Sequence, residues 1–346
     1  MTERSHCRVR VRAVIEETAD AKSLVLEIPP ALAEAFRYRP GQFLTVRIAH
    51  DGRHLLRCYS LASTPLDDAP PRVTVKRVAD GRVSNWICDH VNAGDEIDVL
   101  PPAGHFTPRS LDGDFLLMAG GSGITPIFSI LRSALIAGRG RMCLLYANRD
   151  ERSIIYRDEL KALASTHPAR LQVIHWLDTV QGIPTLAQLA EFARPWTRAD
   201  CYICGPELFM DAAVEALRGL GVAAERIHVE RFVSLPDEED VAPVAPAGGN
   251  SQSLNQVRLE VELDGKLHEL VCSDHEPLLD AMLRAGLDAP HSCRSGACGS
   301  CMCTLVTGEV HLRHNEVLDK NDLAQGWILA CQAIADRPHI KVRFPD

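Results

Sequence analysis

The chain has 346 residues, of which 46% are hydrophobic and 24% charged, with a net charge of −9; that is an ordinary globular composition with room for two or three domains. No apolar run reaches the ~18 residues of a membrane span. The segment Met1–His6 lacks the apolar stretch of a signal peptide, and no basic run with interleaved aromatics points to nucleic acid. Twelve cysteines without a secretion signal imply a reducing compartment, so the expected location is cytoplasmic.

In chain order, residues 1–111 show short alternating apolar runs at Val9–Ile15, Leu24–Ile28, Gln42–Ile48, Leu55–Ala62, Val73–Val78 and Ile97–Leu100. Turn residues separate them, as in Arg39-Pro40-Gly41 and Ala49-His50-Asp51-Gly52. This pattern predicts an antiparallel β-barrel. Residues 112–235 alternate differently. Apolar strands at Phe115–Ala119, Arg141–Tyr146, Leu171–Trp176, Cys201–Cys204 and Ile227–Glu230 are separated by helical patterns at Pro126–Ala137, Tyr156–Ser165, Leu186–Phe192 and Glu207–Leu220. A βαβ series predicts a parallel sheet. Residues 236–256 combine Pro, Gly, Ala and four acids without hydrophobic period. They read as a linker with a coil reach of roughly 25 Å. Residues 257–346 contain a hairpin around Asp264-Gly265, a helix at Pro277–Ala285, a cysteine-rich loop and further short strands; the expected fold is an α+β β-grasp.

Cysteine spacing carries the strongest chemical signal. Cys293, Cys298 and Cys301 read C-x4-C-x2-C, and Cys331 follows at a distance. This is the plant-type ferredoxin spacing for a [2Fe–2S] cluster. The interleaved Gly296 and Gly299 let the backbone bend closely and aim amide N–H groups at sulfur. Disulfides or a structural zinc site are the alternatives, although zinc sites usually use two C-x2-C pairs and one is present here. Cys303 lies on a strand expected to turn it away from the cluster.

Two glycine-bearing turns are candidates for nucleotide binding. Gly120-Gly121-Ser122-Gly123-Ile124-Thr125-Pro126 joins the first strand of the parallel sheet to a helix, where backbone amides can approach a phosphate. It is not a full GxGxxG, and a plain tight turn is the alternative. Cys204-Gly205-Pro206 ends a later strand of the same sheet, so a cofactor ring has room over that edge. In the first segment, Arg57-Cys58-Tyr59-Ser60 offers a phosphate partner and a stacking ring, and Gly81-Arg82-Val83-Ser84 opens a short helix.

In this order, the pattern Arg57-x-Tyr59-Ser60, Gly81-x-x-Ser84, Gly120–Pro126, Cys204-Gly205-Pro206 and the terminal cysteines resembles the ferredoxin–NADP reductase superfamily with a fused plant-type ferredoxin. More narrowly it is similar to the reductase components of 3-ketosteroid 9α-hydroxylases, in stretches such as Arg57–Thr64, Leu145–Asp150 and Leu287–Pro290. Reductases of phenylacetyl-CoA epoxidases are the nearest sibling class. The resemblance implies three cofactors: FAD, NADH (or, less favoured, NADPH) and the [2Fe–2S] cluster. It implies that Arg57 and Ser84 contact the FAD pyrophosphate, with Gly81 and Val83 also in the cofactor-binding set. Tyr59 would cover the isoalloxazine and Ser60 would lie near its hydride-accepting nitrogen. Gly120, Gly121, Ser122, Gly123 and Thr125 would hold the dinucleotide, and Cys204, Gly205 and Pro206 would border the nicotinamide. Glu230 would place a carboxylate near the hydride-transfer site. Many relatives end at an aromatic over the flavin; here the chain continues past Phe232, so that role is not assigned to it. Arg149 beside Asp150 bears on the ribose. An Arg suits a 2′-phosphate and a carboxylate suits a free 2′-hydroxyl; NADH is the expected donor.

The implied partner is a terminal Rieske-type oxygenase, served by a monomer. Residues 257–346 hold 9 Lys/Arg against 14 Asp/Glu, a net −5, and residues 236–256 add −4, leaving the remainder neutral. Such a charge distribution suits steered docking, or is only a solvated surface. A redox sensor is the alternative from another class, but no effector segment is visible in the sequence.

Overall fold

Alternating burial builds the first sheet. The computed structural model describes residues 6–50, 53–232 and 256–345, apart from 292, 293, 295, 297, 316 and 319. Its first segment forms strands β1 (Cys7–Thr18), β2 (Ala21–Glu27), β3 (Phe43–His50), β4 (Arg53–Ser60) and β5 (Arg72–Lys76), helix α1 (Arg82–His90) and strand β6 (Glu96–Val99). The sheet order is β4-β3-β6-β1-β2-β5, and β1 pairs antiparallel with both β2 and β6. Val9 and Val11 lie inward, with Leu24, Leu26, Val73 and Val75 also buried, as a two-residue period requires.

The second segment runs β7 (Phe115–Gly120), α2 (Ile124–Ala137), β8 (Met142–Asn148), α3 (Arg157–Thr166), β9 (Leu171–Leu177), α4 (Asp178–Gln181), α5 (Leu186–Ala193), β10 (Asp200–Cys204), α6 (Glu207–Gly219) and β11 (Ile227–Glu230). The sheet order is β11-β10-β7-β8-β9, and every pairing is parallel. All six residues of β7 are buried, as expected for a parallel sheet covered on both faces. Phe115, Leu117 and Ala119 join the core that contains Phe128 and Leu131 of α2, whereas Leu116 and Met118 join the one that contains Ala213 and Leu217 of α6. The order places the switch point between β7 and β10, the position at which open α/β sheets bind ligands.

A polar seam joins these two layers within one compact unit, His6–Val46 with Tyr59–Phe232. The Ser129 hydroxyl donates to the Ser63 carbonyl at 2.6 Å, and Thr64 and Ser133 share a hydrogen bond of 2.7 Å. Arg72 grips Glu159 through two N–H groups at 2.8 and 3.2 Å. Its guanidinium lies 4.7 Å from the Tyr156 ring centroid and 5.7 Å from that of Phe128, and Glu17 lies 3.9 Å away.

The C-terminal segment forms β12 (Val257–Leu263), β13 (Lys266–Cys272), α7 (Leu278–Arg284), β14 (Met302–Thr307), β15 (Val310–Leu312), α8 (Lys320–Ala324), β16 (Trp327–Leu329), β17 (Ala333–Ala335) and β18 (His339–Arg343). Five strands make a mixed sheet, β13-β12-β18-β14-β16, and β15 pairs with β17. Asp264 and Gly265 have φ of 50° and 68°, the left-handed pair of a two-residue hairpin. Met282, Leu279 and Leu278 of α7 fill the core beneath the sheet with Val261, Leu329 and Val342. The expected linker, 236–256, lies outside the described residues except for Gln256.

Candidate hydride-transfer and iron–sulfur sites

At the switch point, two loops interlock because their glycines carry no side chain. A Cβ on Gly123 would meet the Cys204 carbonyl oxygen at 2.1 Å, and one on Gly205 would come within 2.9 Å of Gly120. Gly121 has φ +52°, the left-handed region that favours glycine. The Thr125 hydroxyl donates to the Ser122 carbonyl at 3.1 Å and the Tyr146 hydroxyl to that of Gly121 at 3.0 Å. The turn is therefore rigid, and its amides precede α2, a fourteen-residue helix whose N-terminus suits phosphate. This cradle fits a dinucleotide.

Cys204 and Glu230 face each other as register partners on β10 and β11. Pro206 follows at the N-cap of α6. The Ser60 hydroxyl, at the end of β4, lies close enough to the Glu230 carboxyl to stabilise its charged form. Glu230 Oε2 is sealed from solvent without a hydrogen-bond partner among the described residues. Burial pushes the Glu230 carboxyl up to about 8, with the Ser60 contact pulling the other way. Burial and the neighbouring Glu230 also push the Cys204 thiol well above its ordinary value. Cys204 is therefore a neutral thiol, not a nucleophile. Ser60, Cys204 and Glu230 thus converge from distant parts of the sequence.

The other expected flavin contacts are spread over β4 and α1. Arg57 and Tyr59 are half-buried on β4, and Arg57 Nη1 donates to the Leu56 carbonyl at 2.6 Å. Gly81 caps α1, Val83 is buried against the sheet, and Ser84 Oγ accepts from the Val78 N–H at 3.2 Å. Arg149 and Asp150 follow β8. Arg149 Nε donates to Asp150 at 3.0 Å, and the Asp150 carboxylate caps the short turn Glu151–Ser153 by accepting from Ser153 N–H at 3.0 Å. Arg149 holds the Asp150 carboxyl below its usual range.

Sequence reasoning missed four residues at this sheet edge. Lys76 Nζ comes 3.6 Å from a Cβ position on Gly121. Tyr146 closes the glycine turn. Asn148, 4% exposed, turns its amide towards the Tyr146 hydroxyl, and the ring nitrogen Nδ1 of His175 is buried without a hydrogen-bond partner among the described residues. Asn148 ends a strand beside the Arg149-Asp150 pair that sequence reasoning did single out, and that proximity was the available signal. The other three carry none in the sequence.

In the C-terminal sheet, Cys301 and Cys331 are thiols, 2% and 4% exposed. Their sulfurs are in hydrogen-bond contact, which with burial holds Cys301 well above its usual range. Cys298 is half-buried, with its thiol 3.3 Å from the Ser300 hydroxyl. Cys293 lies outside the described residues. Among the described residues no three metal-type ligands surround one point, so the Cys301–Cys331 pair is the part of the ligand set that is visibly closed. Arg294, Gly296 and Gly299 have φ of 56°, 82° and 70°, so the backbone takes left-handed values at these three positions. Paired buried thiols beneath such a loop fit an iron–sulfur cluster. Cys303, on β14, is fully buried in the core that also contains Cys301 and Cys331.

Three family models match in chain order: an oxidoreductase FAD-binding domain over residues 8–107, an oxidoreductase NAD-binding domain over 117–215, and a 2Fe-2S iron-sulfur cluster binding domain over 261–336. The 3-ketosteroid-9-alpha-monooxygenase ferredoxin reductase component of Rhodococcus rhodochrous is 49% identical over 337 residues, 96% of this chain and 95% of that protein. The chain belongs to the family of FAD- and 2Fe-2S-containing ferredoxin reductases. A component of the 1,2-phenylacetyl-CoA epoxidase of Escherichia coli is 35% identical, over 96% of each chain. Among solved structures, phthalate dioxygenase reductase matches with a TM-score of 0.60 at 24% identity, covering 98% of each chain, which places this reductase in the same fold. It is an oxidoreductase that binds FAD, a nicotinamide dinucleotide and a [2Fe–2S] cluster. Among the described residues no helix is long and apolar enough to cross a membrane.

Proposed function

We propose that this reductase is the electron-supplying component of a 3-ketosteroid 9α-monooxygenase and passes electrons from NADH to a terminal Rieske-type oxygenase. The supporting observation is the 49% match that spans nearly the whole of both chains, against 35% for the epoxidase component. When bound, the flavin and the cluster supply the redox chemistry, taking two electrons as hydride and releasing them singly. Bound there, a plant-type cluster would supply a potential of about −400 mV, low enough for a Rieske acceptor at about −150 mV or above.

The chain's own residues bind, orient and exclude water. Arg57 and Ser84 would hold the FAD pyrophosphate, with Gly81 and Val83 beside them, and Tyr59 would serve its ring system. Gly120–Gly123 and Thr125 would hold the dinucleotide phosphates, and Cys204, Gly205 and Pro206 would border its nicotinamide end. Ser60 orients Glu230, whose carboxyl is largely neutral at pH 7 and able to donate a hydrogen bond. Asp150, anchored by its turn and by Arg149, disfavours a 2′-phosphate and so selects NADH. Cys293, Cys298, Cys301 and Cys331 hold the cluster. The domain limits are 1–111, 112–235, 236–256 as linker and 257–346, in a monomer of the cytoplasm.

Reconstitution tests this reading. The purified reductase, NADH and the oxygenase component of a 3-ketosteroid 9α-monooxygenase should yield 9α-hydroxylated steroid, with NADPH giving the lower kcat/KM. Failure of coupling there, with efficient coupling to a phenylacetyl-CoA epoxidase oxygenase component, would assign the reductase to the sibling class.

A further inference from the structure

The loop Ala330–Gln332, between β16 and β17, ties together the elements around the cysteine loop. Ala330 N–H donates to the Cys301 carbonyl at 3.0 Å, its carbonyl accepts from Leu279 of α7 at 2.9 Å, and the Gln332 carbonyl accepts from Arg313 at 2.9 Å. The Gln332 side chain, in a residue only 5% exposed, reaches back to the cysteine loop. Its Nε2 donates to the Arg294 carbonyl at 2.8 Å and lies 3.7 Å from Cys331 Sγ. The two contacts fix each other. A carbonyl oxygen can only accept, so the nitrogen end of the amide must face Arg294, and the second N–H is then available to sulfur. Gly296 closes the fit: a Cβ there would lie 3.0 Å from Gln332 Cγ and 2.7 Å from the His314 carbonyl. The loop can pack this closely because position 296 has no side chain.

We propose that Gln332 is a positioning residue of the iron–sulfur centre: its amide pins the cysteine loop through Arg294 and turns its second N–H to the Cys331 sulfur, raising the centre's reduction potential. The inference rests on the reading of Cys331 as a cluster ligand. Reduction adds negative charge that is shared with the thiolate sulfurs. A donor aimed at one sulfur stabilises the reduced form more than the oxidised one. The Cys301 thiol also contacts the Cys331 sulfur, but as a cluster ligand it has no proton to donate, so the effect of removing the Gln332 N–H should be visible.

The test uses the full-length protein loaded with FAD and cluster. Visible absorption and the low-temperature EPR signal after reduction first establish that the cluster is present; without them the ligand assignment fails, whatever the role of Gln332. Wild type labelled with 15N only in glutamine side chains is then read by pulsed EPR. A weak 15N coupling to the reduced cluster is expected, and its absence overturns the proposal. Gln332→Met keeps the length and volume but has no N–H. It should abolish that coupling and lower the reduced-to-oxidised ratio at fixed poise about tenfold, a fall in midpoint of about 59 mV for one electron. A cluster-loaded Q332M with wild-type potential overturns the proposal. If Q332M cannot retain its cluster, the coupling in labelled wild type decides alone.

Discussion

Glu230→Gln should make this reductase more stable as the pH rises towards 8. Burial holds the Glu230 carboxyl at about 8 against an ordinary value of 4.5. A carboxyl raised on folding binds its proton more tightly in the folded state. Its contribution is therefore fully present below pH ~4.5, declines as the pH climbs to about 8, and is constant beyond. Those 3.5 pH units at about 1.4 kcal/mol each amount to a decline on the order of 5 kcal/mol. Between pH 6 and pH 8 the difference between variant and wild type should widen by about 3 kcal/mol, or roughly 5–10 °C in Tm for a unit of this size. The assay is thermal unfolding of flavin-loaded protein at both pH values. Flavin reduction by NADH, followed by stopped flow, should show an inflection near pH 8 in wild type that is lost in E230Q. Ser60→Ala should move that inflection upward, because the Ser60 contact is what opposes the rise. A Tm difference equal at pH 6 and pH 8 would mean that Glu230 is already ionised at pH 6, and the account of a neutral donor would fall.

Arg72→Met should destabilise the flavin and nucleotide layers by about 2–4 kcal/mol, because it strands Glu17, whose side chain is 8% exposed, beside a lost partner; adding Glu17→Gln should recover part of the loss, and two additive penalties would count against coupling. Cys303→Ala should keep the visible cluster absorption while lowering the stability of the C-terminal sheet by about 1–2 kcal/mol, since a buried thiol acts as a small apolar filler. Loss of the absorption in folded protein would place Cys303 among the ligands. Electron transfer to the oxygenase should slow several-fold from low to high salt, as exposed charges are screened beyond about 8–10 Å. The acids concerned are not those of the mixed sheet, since Glu260, Glu262 and Glu269 are already paired with Arg258, His339 and Arg343. A rate flat with salt would mean apolar docking.

The fold was legible wherever its rule is local. Period-two runs marked β1 and β2, continuous apolar runs marked β7 and β8, and Asp264-Gly265 marked its hairpin because few other pairs accept two left-handed residues in succession. Short pieces escaped. The helix Asp178–Gln181 has four residues, too few to show a period. Parts of the candidate site were legible for the same reason: a glycine turn and a C-x4-C-x2-C loop are contiguous, and their spacing encodes their geometry.

What the sequence could not display is pairing across the fold. Ser60 and Glu230 are 170 positions apart, and only the register of β11 beside β10 makes Glu230 the neighbour of Cys204. Burial then makes it a neutral acid, a property that no spacing encodes. Gln332 is similar: adjacent to a ligand cysteine, it passes as a polar filler until the fold returns the Arg294 carbonyl to it from 38 residues upstream. Buried polar groups are costly without partners and selective with them. The chemistry of this reductase is therefore set by which distant residue supplies each partner, and His175 Nδ1, buried without a hydrogen-bond partner among the described residues, is a place where a bound ligand can supply one.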